Sequence, residues 1–101
     1  MIAKTPKAPY YAVIFTSILS ENNEGYEDMA KEMFDLAAKQ EGFLGMESVK
    51  DDMGISVSYW DSMENIRKWS RHSDHSKAKE MGKNGFYKEF KTRICKVEME
   101  Y

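Results

Sequence analysis

From Tyr10 to Leu19 hydrophobic side chains fall on both sides of an extended chain. Tyr11, Val13, Phe15 and Ser17 share one face, and Ala12, Ile14, Thr16 and Ile18 share the other. A strand apolar on both faces must be covered on both. The polar, breaker-rich stretch from Ser20 to Gly25 ends it. The period then changes: Tyr26, Met29, Ala30, Met33, Ala37 and Gln40 recur at three- and four-residue steps, with Phe34 and Leu36 widening the stripe. This spacing predicts an amphipathic helix of about four turns, with an acidic start and Lys39 near its end in accord with the helix dipole. Gly42 is expected just past its cap.

Alternation returns from Phe43 to Lys50, with Phe43, Gly45, Glu47 and Val49 against Leu44, Met46 and Ser48. Asp51-Asp52-Met53-Gly54 reads as a turn into a third strand, Ile55 to Trp60, antiparallel to the second because the link is short. Ile55, Val57 and Tyr59 share one face of that strand. The Ser56, Ser58, Trp60 face is less apolar and suits a cavity wall. Asp61 followed by Glu64 resembles a capping box, and Met63, Ile66 and Trp69 make one stripe of a second helix. The pattern breaks at His72-Ser73-Asp74-His75, where Ser73 or Asp74 would cap a further short helix through Met81, and Gly82 and Gly85 bracket a turn. A last strand runs from about Tyr87 to Glu98, with Phe90, Thr92 and Ile94 opposite Glu89, Lys91, Arg93, Cys95 and Val97.

The order β-α-β-β-α-β is the split βαβ arrangement of an α+β domain with a four-stranded antiparallel sheet. Right-handed crossovers put both helices on one side, so the other sheet face is bare. With the two-faced first strand, this predicts a homodimer joined through the sheet faces. Residues 1–9, with Pro6 and Pro9, read as an extended, frayed arm, and residues 10–101 as the single domain.

A chain of 101 residues supports one modest core. Its 15 Lys and Arg against 17 Asp and Glu are interspersed, which excludes the concentrated positive stripe of a nucleic-acid binder. Nothing approaches the roughly 18 apolar residues of a membrane helix, and Met1 to Pro9 lacks a secretion-signal core. No membrane partner and a cytoplasmic location are therefore expected. Cys95 is the single cysteine, so no internal disulfide and no thiolate cluster can form.

Candidate chemistry is sparse. His72 and His75 are three residues apart, but a zinc or iron site needs a third ligand that no neighbouring motif supplies. No metal and no cofactor are expected. The bland reading has one histidine capping or packing and the other solvated. The functional reading makes His75 a general base, since an imidazole titrates near neutrality; Asp74 is too close in sequence to fold back and orient it. Trp60 and Trp69 offer the flat surfaces a planar aromatic ligand prefers, and eight methionines provide an adaptable lining. Phe15, Ser17, Ser58, Trp60 and Phe86 are the candidate substrate-binding residues, with Tyr59 and Tyr87 adding aromatic surface. Glycine-rich phosphate loops and nucleophile elbows are lacking.

Three stretches together carry a resemblance: Gly42-Phe43-Leu44-Gly45-Met46-Glu47-Ser48, Ile55 through Ile66 with Tyr59-Trp60 at the strand end, and Trp69 followed by His75. The chain resembles the antibiotic biosynthesis monooxygenase family from about Tyr11 to Val97. The resemblance implies a ferredoxin-like protomer paired into a dimeric α/β barrel, with any active cavity between sheet and helices. It also implies a cofactor-independent oxygenase of small phenols or quinols, with His75 and Trp69 as catalytic residues. A non-catalytic ligand-binding or stress-response dimer is the second reading and haem binding or degradation the third. In haem-degrading relatives the axial histidine lies ten residues after the tryptophan. Lys79 stands there in this chain, and Phe15, Thr16 and Ser17 stand where a first-strand asparagine is expected.

Overall fold

A computed structural model describes residues 1–72 and 85–101. The elements are β1 (Tyr10–Leu19), α1 (Tyr26–Ala37), β2 (Phe43–Lys50), β3 (Gly54–Trp60), α2 (Met63–Arg71) and β4 (Tyr87–Val97). The strands form one antiparallel sheet in the order β2-β3-β1-β4. The expected further helix through Met81 and the turn at Gly82 lie outside the described residues.

One side of the sheet is closed by both helices. Ala37 from α1, Trp60 from β3, and Ile66 and Trp69 from α2 form the buried cluster, with Tyr11, Val13, Met33, Leu36, Phe43 and Met63 packed against it. Since Tyr11 and Val13 face the helices, strand alternation puts Phe15 and Ser17 there too. The register then adds Ser58 and Ser56, opposite Val13 and Phe15 on β3, and Ile94, Thr92 and Phe90 on β4. The opposite side carries Ala12, Ile14, Ile55, Val57 and Tyr59, and is called the open face here.

Four local expectations are corrected. Helix α1 ends at Ala37 with Ala38 as its cap, so it has 12 residues and Gly42 lies beyond its cap region. Ser62, not Asp61, caps α2: its hydroxyl accepts from the Asn65 backbone N–H at 3.1 Å, while the Asp61 carboxylate accepts from the Asn65 side-chain amide at 2.8 Å. In β2 a bulge falls between Phe43 and Gly45, which pair with successive residues Trp60 and Tyr59. The extra residue turns Phe43 toward the helices while Gly45, Glu47 and Val49 stay on the open face, as expected where two residues oppose one.

The fourth correction concerns the N-terminal arm, which is pinned rather than frayed. The Glu47 carboxylate accepts from the Ala3 backbone N–H at 2.9 Å and from the Tyr59 hydroxyl at 2.6 Å. Glu100 accepts from the Ala8 N–H at 2.8 Å and from the Tyr10 hydroxyl at 3.0 Å. Ala3 passes so near Gly45 that a Cβ there would sit 3.0 Å from that of Ala3. These bonds hold the Glu47 carboxyl below the usual carboxylate range, chiefly through Tyr59 and then Ala3, and push the Tyr59 hydroxyl up to about 12.

Candidate functional site

Helix α2 places Trp69 against the inner face of the sheet. Met63, Ile66 and Trp69 lie along one stripe, and Ile66 and Trp69 are buried. Trp69 meets Trp60, the fully buried last residue of β3, with ring centroids 6.3 Å apart and planes inclined by 25°. The Trp60 indole N–H donates to the Ser58 hydroxyl at 2.9 Å, which satisfies a buried donor. Phe43 and Trp60 meet in a T-shaped contact at 5.5 Å, as do Phe34 and Phe43 at 6.3 Å. Two indoles are thus held nearly parallel, one from a strand and one from a helix.

His72 ends α2 in an extended conformation, and its backbone N–H donates to the Trp69 carbonyl at 3.1 Å. Its ring lies 5.7 Å from that of Trp69, at 35°. The Nδ1 atom is buried, yet no hydrogen-bond partner for it is found among the described residues. Trp69 and His72 are three residues apart, so the helical period could have paired them. His75 and Lys79 lie outside the described residues.

The candidate lining divides into two groups. Trp60 and Ser58 stand with Trp69 at one end of the covered face. Phe15, Ser17 and Phe86 stand toward the other end, where Phe15 packs against Tyr87 at 5.2 Å and Phe90 at 5.8 Å, and Phe86 against Tyr26 at 6.0 Å. Ser17 is six residues along β1 from Tyr11, the partner of Trp60, or roughly 20 Å of strand. A small aromatic molecule cannot touch Ser17 and Trp60 at once, although Phe15 lies only two residues along β1 from Val13, the partner of Ser58. Burial, and next the neighbouring Tyr26, push the Tyr87 hydroxyl up, so that it stays a neutral hydroxyl at physiological pH. Tyr59 belongs to neither group, because it lies on the open face.

Two surface depressions lie away from the indoles. One of about 460 Å³ is bordered by Thr16, Ser17, Met53, Phe90 and Arg93, and one of about 340 Å³ by Asn23, Tyr26, Asp28 and Lys50. Both are open to solvent, unlike an enclosed site for a flat ligand. Among the described residues no three His, Cys, Asp or Glu side chains converge to hold a metal ion, and no helix is long and apolar enough to cross a membrane.

A split βαβ sheet with an aromatic layer beneath its helices agrees with the sequence comparison: the chain belongs to the antibiotic biosynthesis monooxygenase family, whose pattern matches residues 9–81. A Bacillus subtilis relative, the uncharacterised protein YqjZ, is 50% identical over 101 residues, covering 98% of this chain and 89% of its own. Among solved structures, SnoaB of Streptomyces nogalater, described as a cofactor-independent oxygenase, superposes with a TM-score of 0.79 at 8% identity, over 92% of this chain and 97% of its own. A protein of Shewanella oneidensis gives 0.78 at 6% identity, over 95% and 97%. At such identities the likeness is one of fold.

Proposed function

We propose that the protein is a cofactor-independent monooxygenase that oxidises a small phenol or quinol with O₂, and that the reaction takes place at the Trp60–Trp69 end of the covered face. The observation that carries this reading is the near-parallel pair of indoles, one of them locked by Ser58, in a chain of monooxygenase family. Flat apolar surface in a dry layer binds a flat substrate and shelters its anion from water. The electrons balance without an external reductant. A phenol bearing a ring C–H takes up O₂, that carbon becomes a second carbonyl, and the other oxygen atom leaves as water, so four electrons pass from substrate to O₂. The protein's part is to bind, to orient and to remove a proton. In this reading a second copy of the chain covers the open face and completes a dimeric barrel.

The test is a panel of quinols and polycyclic phenols offered to the purified protein, with oxygen uptake and indole fluorescence followed together. Saturable uptake that falls sharply in Trp69→Ala is the expected outcome. Quenching without uptake above the uncatalysed rate would favour the ligand-binding reading instead.

A further inference from the structure

The buried Nδ1 of His72 calls for a physical explanation. Left without a partner among the described residues, such an atom is costly, and a catalytic role or a bound water or ion would account for it. His72 lies against the outer indole of the stack, with its ring 5.7 Å from Trp69. The group that would satisfy a neutral imidazole nitrogen is a hydroxyl donor, which is also the polar group of a phenol.

We infer that His72 Nδ1 accepts the hydroxyl proton of a phenolic ligand lying beside Trp69, making His72 the general base of this site. The Nδ1 lone pair takes the proton, the O–H bond breaks and its electron pair stays on the phenolate oxygen; imidazole becomes imidazolium and no other reactant is required. His72 is the C-terminal cap of α2, with Lys68 and Arg71 in the last turn, and Lys68 lies 3.7 Å from Glu41 and 3.8 Å from Glu64.

This inference deepens the oxygenase reading, yet the proton transfer can be observed without oxygen chemistry. The probe is 4-nitrophenol, whose absorbance distinguishes phenol from phenolate, added under nitrogen at a pH below its solution pKa. Wild type is expected to bind it as phenolate. His72→Phe keeps a ring against Trp69 and should bind it as neutral phenol, with a phenolate fraction lower by roughly tenfold or more; His75→Ala is assayed beside it as the competing base. With an oxidisable quinol, His72→Phe should lose roughly 100-fold or more in turnover, as expected for a positioned base. His72→Gln serves as a second variant, with circular dichroism as the check on folding. Undiminished phenolate in both His72 variants, its loss only in His75→Ala, or no phenolate in wild type would overturn the inference. Phenolate binding without oxygen uptake would sink the oxygenase reading and leave His72 standing. Oxygen uptake with full phenolate in His72→Phe would do the reverse.

Discussion

The two faces of the sheet differ in a way that hydrophobicity alone misorders. On β3 the covered face carries Ser56, Ser58 and Trp60, whereas the open face carries Ile55, Val57 and Tyr59. The more aliphatic set is therefore the one without helices over it. Trp60 is fully buried, while Ile55 is 39% and Val49 67% exposed. Serine is tolerated on the covered face because Ser58 has an indole N–H to accept. The aliphatic open face makes sense if a further layer covers it, since contiguous exposed apolar surface commonly marks an interaction site.

The largest effect should come from the covered face. Trp60→Ala removes the one side chain that joins the strand, the Trp69 stack and the Phe43 contact, and should cost about 3–5 kcal/mol by denaturant unfolding. A smaller change of sequence sharpens the contrast between faces. Val13→Asp points a charge at Trp60's layer and should leave little folded protein, whereas Ile14→Asp, one residue on, should leave a folded chain of monomer mass in light scattering. A wild type of monomer mass at micromolar concentration would break the comparison. The smallest effect concerns the strap of the N-terminal arm over the open face. Because the folded Glu47 carboxyl sits below its ordinary range, its contribution is present above that range and lost as pH falls through the folded value. Tyr59, raised to about 12, contributes below its ordinary value and loses that contribution as pH climbs toward 12. Acidification or Glu47→Gln should expose residues 1–9 to proteolysis with little change in the domain's melting temperature.

Most of this architecture was legible in the sequence because each element has a clear period. The bounds of β1 and β2 were read directly, and β3 and β4 to within one residue. What escaped depends on contacts between distant residues. No pattern within β2 reveals that Leu44 is the extra residue of a bulge, because that is decided by pairing with β3. The arm looked unattached because its partners, Glu47 and Glu100, lie far along the chain. The site was partly legible. Trp60 and Trp69 stand out in the sequence as flat surfaces and do stack, but the distance between Ser17 and Ser58 along the sheet has no local signature, and the three-residue step from Trp69 to His72 is only a weak sign of their contact.

Gly42 has a mechanical consequence. With φ at 88° and its carbonyl accepting from the Asp61 N–H at 2.9 Å, it lies so close to α2 that any side chain there would run into the Asp61 carboxylate and Asn65. The first turn of α2 is thus seated on the start of β2, as a lever is seated on its fulcrum. His72 lies at the far end, roughly 14 Å along the axis from Met63. Any swing of the helix that admits a ligand therefore moves the His72 end most and the Ser62 end least.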